Sequence, residues 1–190
     1  MKIEEIKKAK TRKIGKQIEY YEQIDSTHKY AKTVAQKNEN DGKIIIAEVQ
    51  TDGIGTKGRS WYTGQKKNIA MTIIVHTKRK AIDIKDLPIK VAKVVQKVIK
   101  ELYNYDLEIK LPNDLMLNNK KICGILTQTN IKGEKVNYIL ISMGFNVNET
   151  NFPEEVKDIA TSLKNEYRKD FNREEIITKI LEGIEKEIDF

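Results

Sequence analysis

The sequence predicts an α+β fold, a mixed, mainly antiparallel sheet with helices packed on one face. Three observations lead there. The chain has 190 residues, the size of one domain on a prior of ~150 residues per domain, so a single unit over residues 1–190 is expected. Between residues 107 and 146 four strand-like runs follow one another across turn-sized gaps, the pattern of a meander. The helix-patterned segments do not alternate regularly with strands, which disfavours a parallel βαβ arrangement.

Taken in order, residues 3–12 suit a short helix. Residues 17–24 (QIEYYEQI) alternate and carry tyrosine and isoleucine, as a half-buried strand does. Asp25-Ser26-Thr27 is an N-cap cluster opening a helix from His28 to about Lys37, and residues 38–42 form a turn. Residues 43–50 (KIIIAEVQ) read as a strand with a buried centre. Residues 52–67 have no period of either kind, and a loop of that length inside one domain is uncommon unless functional or disordered. Residues 68–76 return as a strand. Residues 87–102 show helical apolar spacing through Ile89, Ala92, Val95, Val98 and Ile99. Strands follow at 107–111, 115–117, 121–129 and 136–146, divided by turns such as Asn118-Asn119 and Lys132-Gly133. A helix over 174–188, capped by Asn172, closes the chain.

Composition removes several classes. The longest uncharged stretch, Val136 to Asn148, falls short of the ~20 residues a membrane-spanning helix needs, and the mixed-charge start Met1-Lys2-Ile3-Glu4-Glu5 has no secretory h-region. A cytoplasmic protein that does not engage the membrane is therefore expected. One cysteine, Cys123, and two histidines, His28 and His76, exclude an internal disulfide and a Cys/His zinc site. The 35 Lys and Arg against 28 Asp and Glu leave +7. That charge raises nucleic acid as a partner, but lysines scattered among glutamates look like solvated helix faces, and DNA binding is not expected.

Three segments could carry chemistry. The loop Gln50-Thr51-Asp52-Gly53-Ile54-Gly55-Thr56-Lys57-Gly58-Arg59-Ser60-Trp61 combines glycines, which let backbone amides approach an anion, with Lys57 and Arg59. It lacks the Gly-Lys-Ser/Thr ending of a nucleotide P-loop; a surface loop with incidental glycines is the plain alternative. In Lys110-Leu111-Pro112-Asn113-Asp114 the proline and the Asn-Asp pair require a tight corner between strands. There Lys110 and Lys121 could approach each other and would repel unless an anion sat between them; two exposed lysines are the alternative. Last, the apolar strand ending Gly144-Phe145-Asn146-Val147-Asn148 carries amides that need partners, in a turn or in a ligand.

In register, these segments resemble the catalytic domain of biotin protein ligases. Asp25-Ser26-Thr27 matches that family's "DST", Gln50 to Trp61 its glycine-rich loop ending "GRxW", Lys110 to Asp114 its "KWPND", Lys121 to Leu126 its "KxxGIL", and Gly144 to Asn148 its "GINVN". The resemblance covers about residues 14–190. It implies the fold shared with lipoate ligases and related to class II aminoacyl-tRNA synthetases. It also implies a two-step reaction, in which biotin and MgATP give biotinyl-5'-AMP and a lysine of a biotin carboxyl carrier protein then takes the acyl group. Magnesium and ATP enter as a substrate complex, with no metal ligand assigned among side chains. The other readings are a lipoyl or octanoyl ligase or transferase on the same fold, or a non-catalytic biotin-binding protein.

Carried over by position, the resemblance implies Lys110, Lys121 and Asp114 as catalytic. It implies Ser26, Thr27, His28, Gln50, Gly53, Ile54, Gly55, Thr56, Lys121 and Gly124 around biotin, and Arg59, Trp61, Lys110, Asn113 and Asn146 around ATP. His28 stands where the family usually has asparagine, and is either a general base or simply the first residue of a helix. Leu111 stands where tryptophan is usual. Ile54 and Thr56 replace two arginines of the family's "GRGR", which predicts weaker retention of substrate or adenylate by ~1.5–3 kcal/mol per lost charge-assisted contact. Cys123 is expected as a buried apolar residue rather than a nucleophile. Neither an N-terminal winged helix nor a C-terminal β-domain is expected in this sequence, and a homodimer is left open.

Overall fold

The computed structural model describes residues 1–64 and 66–190; Gln65 lies outside the described residues. One seven-stranded sheet runs through the molecule: β1 (Ile18–Ile24), β2 (Ile44–Gln50), β3 (Ile69–His76), β4 (Glu108–Lys110), β5 (Asp114–Leu117), β6 (Lys120–Lys132) and β7 (Lys135–Phe145), in the order β1-β2-β3-β7-β6-β5-β4. Among the described residues, β1/β2 is the one parallel pairing between these strands, and the other five are antiparallel. The α+β class and the mainly antiparallel meander hold. The turn between β5 and β6 is Asn118-Asn119, with φ of 50° and 63°; two left-handed residues match the twist of a tight hairpin, and asparagine tolerates that conformation best after glycine.

The helices are α1 (Ile3–Ile6), α2 (Thr27–Val34), α3 (Leu87–Tyr103), α4 (Leu163–Tyr167) and α5 (Arg173–Glu187). Strand alternation divides the sheet into two faces. Ile44, Ile46, Met71, Ile73, Ile139 and Ile141 meet Val91, Val95 and Ile99 of α3 and Ile176, Ile177 and Ile180 of α5 in the main core. On the opposite face Ile45, Ile74, Tyr138 and Leu140 meet Ala31 of α2 and Ala35 at its end, with Tyr21, Tyr30 and Val34 packed at the margin. The principal helical layer is therefore on one face, as expected, and α2 adds a short patch on the other.

The expected caps are present: the Ser26 hydroxyl accepts from Lys29 N at 3.4 Å and Asn172 Oδ1 accepts from Glu175 N at 3.1 Å. The expected helix over 3–12 stops at Ile6. Beyond it the amides of Lys10, Lys13 and Ile14 donate instead to Glu182 and Glu185 of α5, at 2.8, 2.8 and 3.2 Å, and Arg12 N also donates to Glu185. Tertiary acceptors on α5 have replaced intrahelical ones, which local pattern cannot reveal.

Candidate active site

The site lies on the sparsely covered face. Five successive pairings across six strands place Ala47, Ala70, Gly144, Gly124, Asp114 and Lys110 in one transverse row. Two alanines and two glycines leave the middle of that row almost without side chains, and two charged residues stand at its end. The sheet thus forms a trough, and Trp61 lies in it. A Cβ on Gly144 would overlap the indole, and one on Gly124 would stand 2.9 Å from Cζ3. These glycines are required by close approach rather than by backbone angle.

Trp61 is delivered by the glycine-rich loop, which folds back as a small hairpin. Trp61 N donates to Gly53 O at 2.8 Å and Gly55 N to Arg59 O at 2.6 Å. Arg59 bends over the loop, donating from Nε to Thr56 O at 3.2 Å and from Nη2 to Thr56 Oγ1 at 2.8 Å. A Cβ on Gly53 would stand 2.6 Å from Trp61 O, so Gly53 serves the hairpin's close approach.

Two cavities adjoin at Trp61 and Lys121. The smaller, of about 30 Å³, is lined by Thr27, His28, Gln50, Ile54, Asn113 and Gly124 together with Ser142. The larger, of about 480 Å³, is lined by Arg59, Lys110, Asp114, Asn146, Tyr62 and Phe152, among others. Gly55, Thr56, Trp61 and Lys121 line both and form the wall between them.

The residues expected from the sequence therefore separate into two neighbouring compartments. Three depart from the grouping. Ser26 is fully buried as the N-cap of α2 and lines neither cavity. Gly53 also lines neither. Asn113 lies on the small-cavity side, where its Nδ2 donates to Ile125 O at 2.8 Å and its carbonyl accepts from Ile125 N at 2.9 Å, pinning the corner after β4 to β6.

The charged centre is compact. Lys121 Nζ lies 2.7 Å from Asp114 Oδ1 and 5.3 Å from the Trp61 ring centroid. Its strand position is held on the other side by residues 159–161: Lys121 N donates to Ile159 O at 2.8 Å and Thr161 N to Lys121 O at 2.9 Å. Lys110 opens into the large cavity from the corner strand. The arrangement offers two ammonium groups and one guanidinium to a polyanion, with Asp114 holding Lys121 in place.

A neutral polar floor closes the small cavity. Thr27 donates through N and Oγ1 to Gln50 Oε1, at 2.9 and 3.0 Å, and Gln50 Nε2 donates to Thr63 Oγ1 at 3.2 Å. His28 is buried, with Nδ1 2.8 Å from Ser142 Oγ and Nε2 2.7 Å from Gln128 Oε1. Burial pulls its pKa below the usual value, against the pull of Gln128, and the charge of Lys32 lowers it further. Both ring nitrogens are engaged within the protein, so His28 has no free nitrogen to act as a general base. Cys123 is fully buried and its thiol is pushed strongly toward the protonated form by desolvation, which removes the thiolate a nucleophile needs.

Sequence reasoning passed over Ser142 and Gln128. Strand parity could have found both, because Ser142 is two residues before Gly144 on β7 and Gln128 four after Gly124 on β6. It also passed over Phe152, Val156 and Ile159, which line the large cavity from the segment before α4.

Residues 20–146 match the model of the biotin/lipoate A/B protein ligase family. The bifunctional ligase/repressor BirA of Bacillus subtilis is 33% identical over 179 residues, 93% of this chain and 55% of the relative. The biotin–[acetyl-CoA-carboxylase] ligase of Mycobacterium tuberculosis is 27% identical over 159 residues, 78% of this chain and 54% of the relative. Among solved structures, the Aquifex aeolicus biotin protein ligase in complex with biotin and ATP superposes with a TM-score of 0.75 at 26% identity, over 90% of this chain and 70% of that one. The chain spans about half the length of these curated relatives. By its motifs, its sheet and these matches, the chain belongs to the biotin/lipoate A/B protein ligase family.

Proposed function

We propose that this chain is an ATP-dependent biotin protein ligase, which makes biotinyl-5'-AMP and passes the biotinyl group to a lysine of a biotin carboxyl carrier protein. The observation that carries the reading is the junction of the two cavities at Lys121. The small cavity has the polar floor for a biotin head group, and the large one has the cations and space for a nucleotide. A carboxylate leaving the first meets an α-phosphate entering from the second beside Lys121 and Asp114.

In the first step a carboxylate oxygen of biotin bonds to the α-phosphorus and pyrophosphate leaves. Two anions must approach, so fixed cations matter most in the transition state. Lys121 bridges the carboxylate and the α-phosphate, Lys110 neutralises charge on the phosphate, and Arg59 releases Thr56 to grip the nucleotide end. Magnesium arrives on ATP, held mainly by phosphate oxygens and water. In the second step the carrier's lysine amine attacks the acyl carbon and AMP leaves; Asp114 keeps Lys121 aligned for both steps. Thr27, His28 and Gln50 with Ile54, Gly55, Thr56 and Gly124 enclose biotin, while Trp61, Asn113 and Asn146 complete the walls.

The test is pyrophosphate exchange into ATP with purified protein, biotin and MgATP, with mass spectrometry of the acyl adenylate. Biotin-dependent exchange and a biotinyl-AMP mass are expected. Absence of both at high enzyme concentration overturns the reading. Lipoate and octanoate run in parallel decide between this activity and the acyl ligases of the same family, and biotin binding without AMP formation indicates a non-catalytic binder.

A further inference from the structure

We infer that His28 is a positioning residue that, as a proton donor, sets the direction of a hydrogen-bond chain beneath the small cavity, so that the cavity floor accepts N–H groups from the ligand. The chain is continuous: His28 Nδ1 to Ser142 Oγ at 2.8 Å, Ser142 Oγ to Thr72 Oγ1 at 2.8 Å, Thr72 Oγ1 to Thr27 Oγ1 at 3.0 Å, and Thr27 Oγ1 to Gln50 Oε1 at 3.0 Å. Its order follows from one anchored end. Gln50 Oε1 also receives the backbone N–H of Thr27 at 2.9 Å, so that atom is the amide oxygen and accepts.

The rest is forced by counting protons. Thr27 has one hydroxyl proton and gives it to Gln50. Thr72 must then give its proton to Thr27, and Ser142 must give its own to Thr72. Three hydroxyl protons serve three of the four contacts. The fourth, between Ser142 and His28, is a hydrogen bond only when the ring's Nδ1 carries the proton. A neutral ring protonated at Nε2 would instead claim the Ser142 proton and leave one buried hydroxyl contact with no hydrogen between its oxygens, a costly arrangement.

The ring's other side accommodates this order. With Nδ1 protonated and the ring neutral, Nε2 accepts, and the Gln128 amide facing it at 2.7 Å presents its nitrogen rather than its oxygen, an end-for-end turn that moves no atom position appreciably. Among the described residues no charged group bonds the ring. Gln128 of β6 and Ser142 of β7 are the groups bonded to the ring, and Lys32, one turn on in α2, is the charged group acting on it.

The consequence for the ligand rests on the biotin reading above; the proton order does not. Thr27 and Ser142 line the small cavity with their single protons already committed, so they turn oxygen lone pairs toward it. A head group bearing N–H donors, such as a cyclic urea, is matched. A dithiolane or an alkyl chain brings no donors and leaves those oxygens unpaired.

Two measurements test this. Long-range ¹H–¹⁵N correlation of the histidine rings, with His28→Asn removing one of the two ring patterns to assign it, reads the tautomer in the wild-type chain. A proton on Nδ1 of His28, with or without one on Nε2, is expected; a bare Nδ1 overturns the proposal. Calorimetric titration of biotin then compares His28→Asn, which places an N–H donor beside Ser142, with His28→Asp, nearly the same shape but an acceptor there. The Asp variant is expected to bind biotin at least about tenfold more weakly than the Asn variant, and equal affinities overturn the proposal. If the wild type fails to bind biotin at all, the ligase reading falls while the ring spectrum still decides the proton order.

Discussion

The two faces of the central sheet bury polar groups of different kinds. Under the helical layer, Glu48 of β2 is buried and takes Arg173 of α5 in a two-pronged pair, Nη1 to Oε2 at 2.6 Å and Nη2 to Oε1 at 3.2 Å; Arg173 Nη1 also donates to Asn68 O at 2.9 Å. Across the sheet, the hydroxyls of Thr27, Thr72 and Ser142 form a neutral chain beneath a trough stripped of side chains. The first network is charged and buried, is completed by the Met1 amine and the Tyr20 hydroxyl on Glu48, and ties α5 to the sheet. The second is neutral and opens toward a cavity. The contrast separates stability from recognition: one face is filled until nothing can enter, the other is emptied by Ala47, Ala70, Gly124 and Gly144 so that something can.

That separation is breakable from either side. The largest effect is expected from Arg173→Met, which removes the two-pronged partner of buried Glu48 and leaves it only the Met1 amine and the Tyr20 hydroxyl; a cost of about 3 kcal/mol in urea unfolding is expected, the low end for breaking a buried pair. Its pH dependence has a definite sign. Burial pushes the Glu48 pKa up, but the bonds to Arg173 and the Met1 amine outweigh it, so the folded value lies below the ordinary 4.5. The stability this group contributes is complete above its unfolded pKa and is lost as pH falls through the folded one. Unfolding midpoints should therefore drop on acidification below about pH 4.5, and Glu48→Gln should flatten that part of the profile.

On the other face the effects should be on activity instead. Lys121→Ala should lower adenylate formation by about 10²–10³-fold in pyrophosphate exchange while leaving the unfolding midpoint nearly unchanged; full exchange activity in that variant would remove Lys121 from the reaction. Gly144→Ala places a methyl where Trp61 lies and should weaken biotin binding about tenfold, roughly 1.4 kcal/mol, by pushing the indole out of the trough. If Gly144→Ala instead lowers stability and spares binding, the trough is packing rather than a site. The smallest change is expected from Arg59→Ala. Among the described residues its side-chain hydrogen bonds are to Thr56, so stability should move by less than about 0.5 kcal/mol, with ATP affinity falling several-fold in titration.

Much of the site could be read before the structure, because its residues lie in short local segments whose chemistry is conspicuous: a cation before a proline corner, a lysine before a glycine in a strand, a glycine-rich loop ending in tryptophan. Lys110, Asp114, Lys121, Arg59 and Trp61 do meet around one cavity. Ser26 lines neither cavity, for a physical reason. The hydroxyl that suits a ligand also suits an N-cap, and the helix end uses it. Ser142, Thr72 and Gln128 carried no local signal, since single polar residues in apolar strands gain meaning only when register sets them side by side, as it does for Thr72 and Ser142. The shortened first helix and the short α4 depend likewise on distant partners.

The sequence by itself determined the class of fold, the strands of the meander, the caps of α2 and α5 and the set of cations, because alternation, turn chemistry and charge act over a few residues. Only the tertiary structure decided which face of the sheet stays open, that Gly124 and Gly144 pair to form the floor beneath Trp61, and that one histidine heads a chain of hydroxyls. Those facts are set by register between strands far apart in the chain. A one-residue slip would send every one of these side chains to the opposite face.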